Sequence, residues 1–300
     1  VGMGRGRGIG RGLQNPRPSV VCGLLLVVVG PLGSSVTGSQ QLRTWACGAA
    51  ARRRATARSR SSCRAMAEES AGVVSEPVAA TQQAAAAAAV KLPADAPRFV
   101  LGSSSQSRRA ILTAAGGDFD IMVPSIDEKA IGDRAGGDAE KLVRLIAEAK
   151  ADALLARLPG AADAGDDRVL LTGDQVVTYR GEIREKPRDA EQAREFIASY
   201  ASAPCETVGA VCLHDLRRGQ RVIGTHVAKI FFGPGIAEPV VLDTLAADEV
   251  VLCCAGGLMV EHEAVAPHLQ RIEGGVDSVM GLSSSLVAEL LEKLRASGAE

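Results

Sequence analysis

From Arg98 onward, short apolar runs of strand length alternate with amphipathic stretches of helical period, and nothing else in the sequence restricts the fold so tightly. "RFVLG" is a strand, "SRRAILTAAGG" a helix stopped by Gly116 and Gly117, and "DFDIMVPS" a second strand. In "DAEKLVRLIAEAKADALLARLPG", Leu142, Leu145, Ile146, Ala149, Ala153 and Leu154 recur at helical spacing, which predicts one long helix ended by Pro159 and Gly160. "RVLLTGDQVVTYRGEI" is a buried strand that turns polar at Gly173, Asp174 and Gln175 and runs into a hairpin around Arg180 and Gly181. "DAEQAREFIASYA" is a helix capped by Asp189. "ETVGAVCLHDLRRGQRVIGTHVAKIFF" makes two long strands joined by a turn from Arg217 to Gln220, and "SSSLVAELLEKLRAS" is a C-terminal helix. Strand–helix–strand units of parallel type, mixed with an antiparallel ribbon, indicate an α/β fold with a mixed, twisted sheet flanked by helices.

The chain ahead of Arg98 follows other rules. Val1 to Ala67 contains eleven arginines, no lysine and no acid, so the net charge of -1 splits into +11 there and -12 in the remainder. Arg-, Ser-, Ala- and Gly-rich composition without acids is how organelle transit peptides are built. Residues 1–67 therefore read as a targeting segment, processed around Ala65 or Ala67 and directing the protein to a chloroplast or mitochondrion; without it the protein would be cytoplasmic. "GLLLVVVG" is far shorter than the ~20 residues of a membrane span. It keeps a secretory signal open as a competing reading, and an extension of the reading frame that is never translated is another. "GRGRGIGRG" lacks the interleaved aromatics that stack on RNA bases. Residues 68–97, rich in Ala and Pro without apolar periodicity, predict a linker that is either mobile or a frayed helix, leaving 98–297 as the folded unit. Cys205, Cys212, Cys253 and Cys254 fall in apolar runs without metal-ligand spacing and read as reduced core residues. The four histidines are too scattered to suggest a His-based metal site or a Ser–His triad.

The polar residues inside the apolar runs carry the chemistry. Where "LGSSSQSRR" passes from strand to helix, free backbone N–H groups point at one spot, which attracts anions. Serine hydroxyls add donors there, and Arg108 and Arg109 add forked charge suited to phosphate oxygens. The alternative is that Ser105 merely caps the helix while both arginines face solvent. Asp174 interrupts a very apolar strand, where an acid belongs only at a strand end in a cleft or in a pair. "IDEK" sets two carboxylates after another strand, and Lys186 directly precedes Pro187. Acids and bases at strand ends mark the ligand cleft of an α/β sheet. Carboxylates hold a hydrated divalent cation, lysine and arginine clamp polyphosphate, and together they activate water for attack on phosphorus. No GxxxxGK[ST] loop is present, against an ordinary P-loop NTPase.

"LGSSSQSRR", "DEK", "EAKA", "TGDQVV", "GEIREKP", "ETVGAV", "AGGLMVEH" and "IEGGVDSVMGL" follow one another in the order of the Maf (septum-formation inhibitor) family. The chain resembles that family over nearly all of 98–294, and its "GSSSxxRR" is similar to the plant-type branch. The resemblance implies a Maf/ITPase-like fold with a central nucleotide-binding cleft. It also implies a nucleoside triphosphate pyrophosphatase, which cleaves between the α- and β-phosphates to give a nucleoside monophosphate and pyrophosphate. It assigns phosphate binding to Ser103, Ser105, Arg108 and Arg109, the general base to Asp174, and further catalytic roles to Glu128, Lys150 and Lys186. Glu128 and Asp174 would share a Mg²⁺ or Mn²⁺ ion. Bacterial members carry a proline and a basic or aromatic residue where this chain has Gln106 and Ser107.

Base choice is implied at Ser107, Gln175 and Glu261. A glutamate carboxylate only accepts hydrogen bonds, and guanine offers N1–H and a 2-amino group side by side. Gln175 and Glu261 therefore point to 7-methyl-GTP, although Ser107 lacks an aromatic face for a cationic purine. A dTTP/UTP pyrophosphatase of the same family and a catalytically weak nucleotide-binding regulator of cell division stay open. Plain structural readings also stand for Lys150 (a solvated helix face), Glu261 (a surface residue) and Asp277 (a turn residue). The implied partner is a nucleoside triphosphate, with no nucleic-acid polymer and no membrane, and a homodimer is compatible with the family.

Overall fold

The computed structural model describes residues 89–158 and 166–297, together with Gln83 and Ala87. The leader at 1–67, "GLLLVVVG" within it, and Pro159 and Gly160 lie outside the described residues. β1 (Phe99–Leu101), α1 (Gln106–Ala114) and β2 (Phe119–Ile121) form a strand–helix–strand unit, with β1 and β2 parallel. α2 (Ala139–Leu155) leads to β3 (Val169–Tyr179), which pairs parallel with β1 on its other side. β3 turns into β4 (Glu182–Arg184) through Arg180 (φ 50°) and Gly181 (φ 81°), the pair of positive φ values that a two-residue hairpin turn requires. After α3 (Ala190–Ser199), β5 (Cys205–Asp215) and β6 (Arg221–Phe232) extend the sheet antiparallel, and β7 (Leu269–Glu273) closes it. The seven-stranded sheet runs β2-β1-β3-β5-β6-β7, with β4 on β3. α4 (Pro239–Ala247), α5 (Val276–Val279) and α6 (Ser284–Ala296) complete the α/β fold.

Polar residues start the helices where the sequence places them. Ser105, Asp138, Asp189 and Ser283 each accept the backbone N–H three residues on, satisfying a donor with no partner inside its helix. α2 turns its buried face by about one residue from the expected stripe. Leu142, Val143, Ile146, Ala147, Lys150, Ala151 and Leu154 are buried, whereas Leu145 is 38% exposed.

One sheet face carries two separate cores. Near the β1 end, Leu171, Val211 and Leu213 pack with Ile111, Leu112, Val287 and Leu290 of α1 and α6. At the far end Val177, Tyr179, Ile230 and Phe232 pack with Ile197 of α3 and Leu245 of α4. There the buried Arg184 guanidinium lies 4.2 Å above the Tyr179 ring and 4.6 Å above Phe196. The opposite face is covered by α2, against Leu170, Val208, Ala210 and Cys212. Along the edge of β3, β1 pairs with Val169–Leu171 and β4 with Val177–Tyr179. Among the described residues, 172–176 have no partner strand on that side, which leaves a notch in the sheet.

Two expectations need correction. Residues 89–97 are packed rather than mobile: Leu92 is buried in the α1–α6 core, its N–H donates to Ala115 O at 2.9 Å, and Val90 N–H donates to Ser284 Oγ at 2.8 Å. The ordered unit thus begins ahead of Arg98. Cys205, Cys212 and Cys254 are free thiols, but Cys253 is disulfide-bonded. Of the two alternatives for Asp174, the structure shows the pair: it sits inside β3, 2.7 Å from Lys150 Nζ. No helix among the described residues is long and apolar enough to cross a membrane.

Candidate active site

The notch in β3 gathers charge around one backbone carbonyl. Arg108 Nη1 donates to Gly173 O at 2.9 Å and its Nε donates to Gly281 O at 2.8 Å, so the side chain spans from β3 to the loop ahead of α6. Lys150 Nζ reaches the same Gly173 carbonyl from the other side at 3.5 Å. Behind Arg108, Ser105 Oγ accepts the Arg108 N–H at 3.3 Å and meets Ser107 Oγ at 2.9 Å, while the buried Ser103 accepts from Ser105 N–H at 3.1 Å. Ser105 is a helix cap, as the simpler reading held, yet the arginines do not face solvent. Arg108 is tied to two carbonyls, and Arg109 is half-buried with its Nε enclosed and, among the described residues, unpartnered.

Asp174 is tolerated mid-strand because it is paired. Lys150 Nζ lies 2.7 Å from Asp174 Oδ1 and 3.1 Å from Glu128 Oε1, so one ammonium joins both carboxylates. Asp174 is 8% exposed and Lys150 6%. Thr172 Oγ1 donates to Ala147 O at 2.7 Å, fastening β3 to α2 one turn from Lys150. Burial pushes the Asp174 carboxyl above its ordinary pKa, against the pull of Lys150 and Arg108. Burial in turn lowers Arg108, opposed by Asp174 and Glu128. A buried carboxylate with a raised pKa is a stronger base than a solvated one, which suits proton removal from water.

Glu128 opens a short 3₁₀ turn capped by Asp127 and exposes half its side chain. Arg134 holds that turn in place, donating to Glu128 O at 2.8 Å and to Glu185 Oε1 at 3.0 Å. It thereby links the Glu128 loop to the residue before Lys186. Lys186 is exposed. Both Lys186 and the half-buried Glu261 act electrostatically on Cys254, whose thiol burial pushes up to about 12. Gly256 N–H donates to Glu185 O at 2.9 Å, so the segment before Glu261 is stitched to the Lys186 loop. Ser107 and Gln175 both approach the chain from the end of α5 to the start of α6: Gln175 Nε2 donates to Val279 O at 2.9 Å, and a Cβ on Gly281 would lie 3.8 Å from Ser107 Oγ. The structure thus gathers Arg108, Glu128, Lys150 and Asp174 into one cluster, with Ser107 and Gln175 on one flank and Lys186 and Glu261 on another.

Asp277 is structural. Its Oδ2 accepts from Ser284 N–H at 2.8 Å and Ser284 Oγ at 2.6 Å, and its Oδ1 from Ser278 N–H at 2.8 Å. It locks the loop that anchors Arg108 and Gln175 onto α6. Among the described residues no three His, Cys, Asp or Glu side chains gather in ion-binding geometry. Glu128 and Asp174 converge on one ammonium, and two carboxylates are the donor type that a hard divalent cation takes, with water and phosphate oxygens completing its shell.

A family model described as "Maf-like protein" matches residues 98–294. The chain belongs to the Maf-like family. It is 37% identical over 197 residues to a 7-methyl-GTP pyrophosphatase of Dictyostelium discoideum, covering 65% of this chain and 96% of that protein. It is 31% identical over 198 residues to a nucleoside triphosphate pyrophosphatase of Salinispora tropica, covering 66% and 84%. A dTTP/UTP pyrophosphatase of Citrifermentans bemidjiense is 30% identical over 201 residues, covering 67% and 96%. The Maf-like match begins where β1 begins and ends within α6, so it spans the whole sheet and both sides of the notch. Arg134 and the carbonyl anchors of Arg108 were absent from the sequence reading. "DRAGG" gives no local sign of an arginine that reaches a residue 51 positions away.

Proposed function

We propose that this Maf-like chain is a nucleoside triphosphate pyrophosphatase, a hydrolase that converts its substrate to a nucleoside monophosphate and pyrophosphate, with 7-methyl-GTP as the preferred substrate. The observation that carries the reading is the buried Asp174–Lys150 pair, joined by the half-exposed Glu128 and set against Arg108 in the notch of β3. Water attacks the α-phosphorus, Asp174 accepts the proton that the water loses, and the bond to the bridging oxygen breaks so that its electron pair leaves with pyrophosphate. Arg108, Lys150 and Lys186 offset the charge on the triphosphate and on the leaving group. A divalent cation would be held by Glu128 and Asp174 and, when bound, would neutralise phosphate charge and acidify water. The Dictyostelium relative and the acceptor chemistry of Glu261 favour the methylated guanine. The Citrifermentans relative keeps dTTP and UTP as a second substrate class.

The test is a panel of 7-methyl-GTP, GTP, UTP and dTTP, incubated with Mg²⁺, with Mn²⁺ and with chelator, the products being separated and identified. Monophosphate and pyrophosphate in equal amounts are expected, fastest from 7-methyl-GTP. Orthophosphate with the diphosphate as co-product would overturn the cleavage site, and faster UTP or dTTP turnover would overturn the base.

A further inference from the structure

Gln175, Gly209 and His226 stand side by side on β3, β5 and β6, in direct register across three strands. Lateral neighbours in an antiparallel sheet share a face. This row lies between the two cores of its face, with Leu171 and Val211 in one and Val177 and Ala228 in the other. The glycine is required: a Cβ on Gly209 would lie 2.4 Å from His226 Nε2, so the imidazole occupies the space above it. Among the described residues, two polar atoms of the row, Gln175 Oε1 and His226 Nδ1, are buried without a hydrogen-bond partner, although His226 as a whole is partly exposed. The Gln175 amide is oriented by its bond to Val279 O, which leaves the carbonyl oxygen as its open acceptor. Burial, with the Arg108 charge nearby, lowers the His226 pKa to about 4, so the ring is neutral. Unpartnered polar atoms are uncommon in protein interiors and mark places that something else completes.

We propose that His226 is a further substrate-contacting residue, which together with Gln175 holds the nucleoside half of the triphosphate rather than its phosphates. The proposal rests on the pyrophosphatase reading above. Arg108 takes the anionic end, and a neutral imidazole offers an anion no charge. Its one N–H and one lone pair suit instead a base edge or a ribose hydroxyl.

The experiment measures kcat and KM for 7-methyl-GTP and UTP, and competitive inhibition by inorganic tripolyphosphate, on the full chain, on His226→Phe and on His226→Gln. Phenylalanine keeps a flat ring over Gly209 and removes both nitrogens. KM for the triphosphates is expected to rise about tenfold in His226→Phe, with tripolyphosphate inhibition unchanged within about twofold and part of the loss recovered in His226→Gln. Unchanged KM values overturn the proposal, and so does an equal loss of tripolyphosphate inhibition, which would place the ring on the phosphates. Should His226→Phe fail to fold, His226→Gln decides: a shifted ratio of 7-methyl-GTP to UTP specificity supports the contact and a fixed ratio overturns it. Failure of the unaltered chain to hydrolyse either triphosphate sinks the pyrophosphatase reading itself, and is seen before any variant is compared.

Discussion

Asp174 and Gln175 are adjacent in the chain and act on opposite faces of the sheet. Asp174 meets Lys150 beneath α2 at 2.7 Å, whereas Gln175 bonds Val279 O at 2.9 Å on the face that carries the two cores. Strand alternation sends one side chain to the face proposed for the chemistry and its neighbour to the face proposed for base recognition. Substitutions on the two sides should therefore separate turnover from base choice.

Asp174→Asn removes the proton acceptor while keeping the side-chain shape. Lys150 retains Glu128 at 3.1 Å as a partner, so the fold should survive. Turnover is expected to fall by roughly 10²–10⁴-fold, with nucleotide affinity nearly unchanged. Single-turnover kinetics alongside calorimetric binding checks this, and a kcat within a factor of a few of the original would exclude Asp174 as the base.

Lys150→Met should move the pH profile. Burial already raises Asp174, and Lys150 is the largest influence holding it down. Without the ammonium the pKa rises further. The base works only when deprotonated, so activity is lost as pH falls through that pKa. The acid limb of kcat/KM should accordingly shift to higher pH. A limb that stays put, or moves to lower pH, contradicts the assignment.

Glu261→Gln replaces one acceptor oxygen with a donor that faces the donors of guanine, a buried mismatch of roughly 1–3 kcal/mol, or about tenfold to a hundredfold in specificity. The same amide both accepts from N3–H of uracil and donates to a carbonyl. Specificity for 7-methyl-GTP should fall while that for UTP holds or rises. Equal kcat/KM changes for purine and pyrimidine substrates would remove Glu261 from the base pocket.

Shortening the chain separates the true boundary from the apparent one. A protein beginning at Ala89 keeps Leu92 and the Val90–Ser284 hydrogen bond and is the reference for a shorter one. One beginning at Arg98 loses the buried Leu92 and the Val90–Ser284 hydrogen bond, which should cost about 2 kcal/mol or more. The exposed Asp95–Arg295 pair, at 3.0 Å, adds little to that. Thermal melts of the two shortened chains should differ by several degrees, and identical melts would return the boundary to Arg98.

Elements whose signal is local were legible. The strand and helix around "SSSQSRR", the turn at Arg180 and Gly181 and the caps at Asp189 and Ser105 follow from short-range chemistry. β7 was not, because "LQRIE" is largely exposed and is a strand only through its pairing with β6. The run of 3₁₀ turns between Val251 and His268 likewise depends on distant contacts such as Tyr200 Oη donating to Gly256 O at 2.8 Å. Lys150 shows the boundary between the two cases. The spacing of Leu142, Val143, Ile146, Ala147, Ala151 and Leu154 puts position 150 on the buried stripe, but only the nearness of Asp174 and Glu128 explains a lysine there. His226 had no sequence signal at all, since its place above Gly209 follows from strand register.

The notch in β3 also bears on how the molecule behaves among its own copies. An unpaired stretch of strand edge is a template to which another chain can add a strand, the first step of self-association. Here the Gly173 carbonyl at that edge is capped by Arg108 and Lys150, two fixed cations standing where an intruding backbone would have to lie. The side chains proposed to meet a polyphosphate thus also stand between this strand edge and any second chain, so one pair of cations would serve both ends.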